Sequence, residues 1–317
     1  APLGRTPFED RIDLVVSETT LRADDGTMMG KGDGIEIAVV SPGIPKSAPM
    51  LVEARRRGVP LLSELDAAAR FAAAPIAAVT GTNGKSTTVT VLGQLIASLG
   101  LPTAVAGNVG VALSEVVEQV PATGVLVVEV SSFQLEDVES FHARSAAILN
   151  LTPDHLDRYP SLEAYLETKL RIFERQTGAD AAVLPARGTA VINADDAHAA
   201  LWRTLAGEHR VYDFALTHAA AVKGDWQAQG YGGLLRARTP AGDLQVLLQV
   251  PGEHNARNAL AAATMALALH VPLSTIAQAL AAFGGVAGRL QRKPAVHGAT
   301  LIDDTYNANP ASMRAAL

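Results

Sequence analysis

The 317-residue chain contains no cysteine. Disulfides and thiolate metal sites are therefore excluded, which suits a reducing compartment, and a cytoplasmic location is expected. Aromatic residues make up only 4%, so alanine and leucine must carry the packing. No basic block and no aromatic–basic interleaving appears; the net charge is −6, with both signs spread along the chain. That pattern argues against a nucleic-acid partner. No apolar run is long enough to span a bilayer, and the N-terminus lacks a charged-then-apolar leader layout, so no membrane partner is expected. What remains is 48% apolar and 18% charged, enough for a sizeable core. At about 100–200 residues per domain, the length predicts two or three domains.

The most informative stretch is Val79-Thr80-Gly81-Thr82-Asn83-Gly84-Lys85-Ser86-Thr87-Thr88. A short apolar run, Pro75 to Val79, precedes it and reads as a buried strand. A helical pattern follows, with Val89, Leu92, Leu95, Ile96 and Leu99 mostly three or four residues apart. Strand, glycine turn and helix N-terminus together aim free backbone N–H groups at one point, where an anion with several oxygens fits. Lys85 adds a point charge, and Ser86 offers a hydroxyl to magnesium. The strict phosphate-loop pattern wants glycine at 79, where this chain has Val79. The match is to Gly81 and the Gly-Lys-Ser end, and the strand–helix context supports it.

Strands are expected over 12–16 and 35–40, with a turn at Ser41-Pro42-Gly43-Ile44-Pro45 and helices over 47–57 and 63–71. Further buried strands are read at 125–130, 146–151 and 190–193. Residues 211–250 look like hairpins, with glycines at 230, 232 and 233. Long apolar helices follow over 255–269 and 273–283, then a strand over 299–304. The alternation predicts an α/β fold: a largely parallel sheet with helices on both faces.

Three features fall at strand ends, where open α/β sheets hold ligands. Glu129 ends strand 125–130 and could reach magnesium, or could be a solvated strand-end acid. His155, between Asp154 and Asp157, could be a ligand or substrate contact, or structural. Lys169 falls in the apolar stripe of a helix expected from Ser161 to Gln176, among Leu162, Tyr165, Leu166 and Phe173. A charged amine there is costly unless paired or neutralised. It either snorkels or pairs with Glu129 or Asp154, or it is held neutral and takes up carbon dioxide as a carbamate.

These segments resemble the Mur ligases. The runs carrying the likeness are Thr80 to Thr87, Glu129-Val130-Ser131-Ser132-Phe133-Gln134-Leu135-Glu136 and Asn150 to Pro160. Ser41 to Ile44, Gly107-Asn108-Val109-Gly110 and Lys169 to Glu174 add to it. Within the family they are most similar to the members that add D-glutamate to UDP-N-acetylmuramoyl-L-alanine. The resemblance implies an ATP-dependent amide ligase of peptidoglycan precursor synthesis, acting through an acyl phosphate as a monomer. It implies ATP contacts at Gly81, Thr82, Asn83, Gly84, Lys85, Ser86, Thr87, Asn255, Asn258, Arg289 and Asp304. It implies one magnesium on Ser86 and Glu129 and a second near His155 and a carbamylated Lys169, with Lys85, His155 and Lys169 catalytic. Ser41, Asn108, Ser131 and Gln134 match positions near the UDP-muramoyl substrate.

The resemblance also divides the chain. Residues 1–64 are expected to be a partial, Rossmann-like UDP-binding domain and 65–285 the central ATP-binding domain. Residues 286–317 are expected to start a truncated amino-acid-binding domain. One departure concerns Asp303-Asp304-Thr305-Tyr306-Asn307-Ala308-Asn309-Pro310, which, with Gly288-Arg289-Leu290-Gln291, resembles the D-alanyl-D-alanine-adding members. Tyr306 and Ala308 stand where glutamate-adding members carry lysine and threonine. A D-alanyl-D-alanine-adding ligase, an L-glutamate-adding ligase and a nucleotide-binding module without turnover remain open as alternatives.

Overall fold

The computed structural model describes residues 37–42, 44–136, 138, 141–154, 158–173, 188–207, 209–306 and 313–314. The strand expected over 12–16 and His155 lie outside them, as do Asp157 and Ala308. The first described elements are β1 (Ala38–Val40), α1 (Pro49–Arg56), β2 (Leu61–Ser63) and α2 (Glu64–Ala69), and β1 pairs parallel with β2. Ser63 caps α2 by accepting the Asp66 N–H at 3.0 Å.

A nine-stranded sheet follows. Its elements are β3 (Ile76–Thr80), α3 (Lys85–Ala97), β4 (Thr103–Gly107), α4 (Leu113–Val116), β5 (Val125–Glu129) and α5 (Ser132–Leu135). They continue with β6 (Ser145–Ile148), α6 (Leu162–Leu170), β7 (Thr189–Asn193), α7 (Ala199–Leu205) and β8 (Arg210–Ala215). The sheet is completed by β9 (Val222–Gln229), β10 (Gly232–Thr239) and β11 (Gly242–Leu248), and the helices α8 (Glu253–Ala268) and α9 (Leu273–Ala282) come after it. The strand order is β11-β10-β9-β8-β7-β6-β3-β5-β4. Every pairing from β4 to β9 is parallel; β9, β10 and β11 form the antiparallel meander that the glycine-rich stretch predicts.

β3 and β5 are buried at every position, because helices cover both faces of the sheet. One face packs on α3, α8 and α9 through Val89, Leu92, Leu260 and Met265. The other packs on α2, α4, α6 and α7 through Leu65, Leu113, Tyr165 and Trp202. Alanines 259, 261, 262, 263 and 266 on α8 are all buried, and their small side chains let α8 lie close on its neighbours.

Three expectations are corrected. β4 was not foreseen: Thr-Ala-Val-Ala-Gly has weak strand propensity, and pairing with β5 decides it. The strand expected over 146–151 stops at Ile148, because the next residues turn to bond the phosphate loop: the Thr82 N–H donates to the Asn150 carbonyl at 3.0 Å. The helix expected to Gln176 ends at Leu170 and tightens into a 3₁₀ turn, Arg171–Phe173. Beyond the sheet, β12 (Gln291–Pro294) pairs antiparallel with β13 (Thr300–Asp303). β13 was expected; β12 is too charged to announce itself.

Candidate active site

β3 is the switch point of the sheet: the chain leaves it for β4 at one edge, then reaches β6 on its other side. The C-terminal ends of β3, β5 and β6 therefore diverge around a common space. Into it projects the phosphate loop, which enters α3 through Gly84 in a left-handed conformation, φ 88°. A Cβ there would lie 2.2 Å from Asn258 Oδ1. Only glycine allows the loop to pass this close to α8.

The loop is braced from β6. The Asn150 side chain accepts the Asn83 N–H at 2.9 Å and donates to the Asn83 carbonyl at 2.9 Å. Thr82 Oγ1 accepts the Thr152 N–H at 3.0 Å and lies 3.3 Å from the Tyr165 hydroxyl. Burial pushes the Tyr165 phenol up to about 12, so it stays protonated. Asn150, Thr152 and Tyr165 received no role from the sequence. Asn150 alone left a signal there, as an amide at a strand exit.

Two lysines converge on the loop. Lys85 Nζ donates to the carbonyls of Gly81 and Thr82, both at 3.0 Å. Lys169 Nζ donates to the same Gly81 carbonyl at 3.0 Å and lies 4.7 Å from the Tyr165 ring centre. Lys169 is only 2% exposed, so it does not snorkel. Burial holds its amine well below the ordinary lysine range, and the Lys85 charge pushes the same way, against Asp154 and Glu129. Burial also lowers Lys85, with Glu129 opposing and Arg289 reinforcing. Lys85, Glu129, Asp154, Lys169 and Arg289 thus form one electrostatic neighbourhood.

Glu129 is 1% exposed at the end of β5. Its Oε1 accepts from Asn108 Nδ2 at 2.9 Å, and its backbone carbonyl accepts the Asn108 N–H at 2.9 Å. Gly107 permits that approach, since a Cβ there would lie 2.3 Å from the Glu129 carbonyl oxygen. Glu129 Oε2 is buried without a hydrogen-bond partner. A buried carboxylate oxygen left bare is costly, and a cation would relieve it. Ser86, 2% exposed at the first turn of α3, adds a hydroxyl, approached by an Arg289 N–H at 3.3 Å. Among the described residues no three His, Cys, Asp or Glu side chains gather as a cage. Magnesium needs none, because it usually takes one or two protein groups and fills the rest with phosphate and water.

A cleft of about 420 Å³ runs from Gly84 and Thr87 past Asn255 and Asn258 to Arg289 and Asp304. Of the residues expected at the nucleotide, Asn83, Gly84, Thr87, Asn255, Asn258, Arg289 and Asp304 line this cleft, whereas Gly81, Thr82, Lys85 and Ser86 do not. His254 also faces it, and burial depresses its imidazole, with Arg257 reinforcing and Asp304 opposing. Asn258 Nδ2 lies 3.4 Å from Asn255 Oδ1. Ser41 lies elsewhere, in a second cleft of about 440 Å³ between the β1–β2 unit and Phe133 and Arg171. Ser131 and Gln134 bond each other as the cap of α5: Ser131 Oγ accepts the Gln134 N–H at 3.2 Å, and the Ser131 N–H donates to Gln134 Oε1 at 3.0 Å.

Residues 79–266 match the family model described as the Mur ligase middle domain. Among curated relatives, the UDP-N-acetylmuramoylalanine--D-glutamate ligase of Anaeromyxobacter dehalogenans is 39% identical over 282 residues, 87% of this chain and 59% of the relative. That of Pelotomaculum thermopropionicum is 37% identical over 310 residues, 96% of this chain and 65% of the relative. The chain spans about three-fifths of the length of the curated relatives it matches. Among solved structures, MurF from Acinetobacter baumannii superposes with a TM-score of 0.67 at 27% identity, covering 90% of this chain and 62% of that one. MurC from Thermotoga maritima shares the fold, with a TM-score of 0.62 at 23% identity. The chain belongs to the Mur ligase family.

Proposed function

We propose that the protein is an ATP-dependent amide ligase that adds D-glutamate to UDP-N-acetylmuramoyl-L-alanine in peptidoglycan precursor synthesis. The observation that carries the chemistry is the meeting of Lys85 and Lys169 at one loop carbonyl beside a buried carboxylate with a bare oxygen. The D-glutamate ligases among the relatives support the substrate assignment.

ATP would lie along the first cleft, its phosphates on the N–H groups of Gly81 to Thr87 and its base near Asn255 and Asn258. Lys85 spends two of its three N–H donors on loop carbonyls. The third is left for the transferring phosphoryl group, where fixed positive charge stabilises charge spread over its oxygens. Arg289 and Asp304 close the far end. Ser86 and Glu129 would hold magnesium, which supplies charge neutralisation between the phosphates. An oxygen of the substrate carboxylate attacks the γ-phosphorus, ADP leaves, and an acyl phosphate remains. The amine of the incoming amino acid attacks the acyl carbon, loses a proton, and the tetrahedral adduct expels phosphate. In this reading Asn108, Ser131 and Gln134 would contact the muramoyl group, and Ser41 the uridine end of the substrate.

Lys169 carries the second part of the reading. A neutral amine can attack carbon dioxide, forming an N–C bond and releasing a proton to give a carbamate. Burial disfavours the charged form of Lys169 and so favours the neutral amine that this step requires. The anion would face Lys85 and, with His155, would hold a second magnesium. The domain assignment is kept on the same basis: 1–64 for the uridine diphosphate, 65–285 for ATP and 286–317 for the junction with amino-acid binding.

Purified protein with ATP, magnesium and UDP-N-acetylmuramoyl-L-alanine should release phosphate when D-glutamate is added. Release only with L-glutamate, or only with D-alanyl-D-alanine and the longer UDP-muramoyl peptide, would replace the substrate assignment. ATP binding without stimulation by any amino acid would leave a nucleotide-binding module. A Lys169 that stays unmodified by ¹³C NMR in saturating labelled bicarbonate would remove the carbamate.

A further inference from the structure

We propose that Tyr231, on the turn between β9 and β10, is a positioning residue that latches the segment around Leu290 so that Arg289 faces the phosphate loop. The proposal rests on the reading of Arg289 as a nucleotide contact.

The turn is a two-residue hairpin, with Gln229 paired to Gly232 across it. Gly230 takes the left-handed first position, φ 62°, as such a turn requires. Tyr231 takes the second position of the turn. Its hydroxyl donates to the Leu290 carbonyl at 2.7 Å. The Arg292 guanidinium covers its ring at 4.6 Å from the centre. The contact thus grips the segment at two residues, on the C-terminal side of Arg289.

The gripped segment is strained. Leu290 has φ 47°, a conformation rare for a branched side chain and kept only where neighbours impose it. Two bonds impose it: the Leu290 N–H donates to Asp304 Oδ1 at 3.2 Å, and its carbonyl accepts from Tyr231. One residue earlier, Arg289 reaches Ser86 Oγ at 3.3 Å and stacks over the Tyr306 ring at 4.1 Å. Beside the segment a cleft of about 330 Å³ separates it from β10 and β11. Where packing leaves that gap, the Tyr231 hydroxyl makes the connection. Losing it would let Leu290 relax toward an ordinary conformation and swing Arg289 off the loop. Tyr231 is far from the phosphate loop in sequence and contributes no group to the nucleotide cleft. Its effect is therefore indirect, through Leu290.

The test is a double-mutant cycle on Tyr231→Phe and Arg289→Ala, reading ATP affinity by calorimetry, steady-state constants and urea unfolding. Arg289→Ala should weaken ATP roughly 10- to 100-fold, as loss of a charged hydrogen bond does. Tyr231→Phe should weaken ATP and raise its KM about three- to tenfold, with kcat within about twofold and an unfolding midpoint close to the parent. The double variant should match Arg289→Ala alone, because the latch acts only through that arginine. A Tyr231→Phe protein that binds ATP as tightly as the parent, or a double variant in which both losses multiply, overturns the latch and leaves the nucleotide site standing. If Arg289→Ala leaves ATP affinity unchanged, the nucleotide role of Arg289 falls and the latch with it.

Discussion

Lys85 and Lys169 donate to one and the same acceptor, the carbonyl oxygen of Gly81, each at 3.0 Å. Two ammonium groups this close repel, and the deeply buried member yields: Lys169 loses its affinity for a proton mainly through burial and then through the Lys85 charge. Replacing Lys169 by methionine keeps the apolar contacts with Tyr165 and removes the buried amine. Its folding stability should equal or exceed that of the parent, while turnover falls by about 10²-fold or more. Urea unfolding beside a phosphate-release assay measures both; a large loss of stability would mean that the amine is a structural anchor.

Gly84→Ala tests the close passage of the loop under α8. The left-handed backbone costs a non-glycine residue about 1–2 kcal/mol. The new methyl would also meet Asn258 Oδ1 at 2.2 Å. ATP affinity should fall at least about tenfold, since loop and Asn258 must both move. Calorimetry with ATP reads it, and unchanged affinity would rule out the cleft along Gly84 and Asn258 as the nucleotide site.

Asn108→Ala removes the donor to Glu129 Oε1, leaving a buried carboxylate with neither oxygen bonded to a side chain. The cost should be about 1–3 kcal/mol of stability. Magnesium should restore part of it, because a cation that binds only the folded protein shifts unfolding by mass action. Urea midpoints with and without magnesium chloride, against a calcium-free potassium chloride control of equal ionic strength, decide this. An equal magnesium effect in Asn108→Ala and Glu129→Ala would detach the cation from Glu129.

His254 predicts a pH dependence. Its imidazole is depressed first by burial, then opposed by Asp304 and reinforced by Arg257. Between its folded-state value and the ordinary value of about 6.5, the unfolded chain binds more protons than the folded one. Stability should therefore rise with pH across that window and be independent of this group above it. His254→Gln should flatten the rise below about pH 6.5 and leave the curve above it unchanged. Chemical denaturation across that range measures it; an unaltered slope would place the dependence on other groups.

The phosphate loop, the general alternation of strands and helices around it with β4 excepted, and the anomaly of a lysine in an apolar stripe were legible in the residues, because each is a local pattern. The strand β3, the loop and α3 are contiguous, so their chemistry and their geometry sit in one stretch. Glu129 was readable from its place at a strand end, whereas Asn258, Arg289 and Asp304 were assigned only through family likeness; the fold then set those three around one cleft and brought Glu129 within electrostatic reach of Lys85. The brace from Asn150 and the latch from Tyr231 left almost no mark, since an amide beside a strand and a tyrosine on a hairpin are ordinary in themselves.

What the sequence by itself made legible was the class of site: glycines, a lysine and a hydroxyl at a strand-to-helix turn, the local arrangement that suits a phosphate group. What only the tertiary structure decided was where the charges meet. Lys169 lies on α6 and is brought to Gly81 by packing across β3 and β6. Burial at that contact, which no linear spacing specifies, turns an ordinary ammonium into an amine that gives up its proton easily.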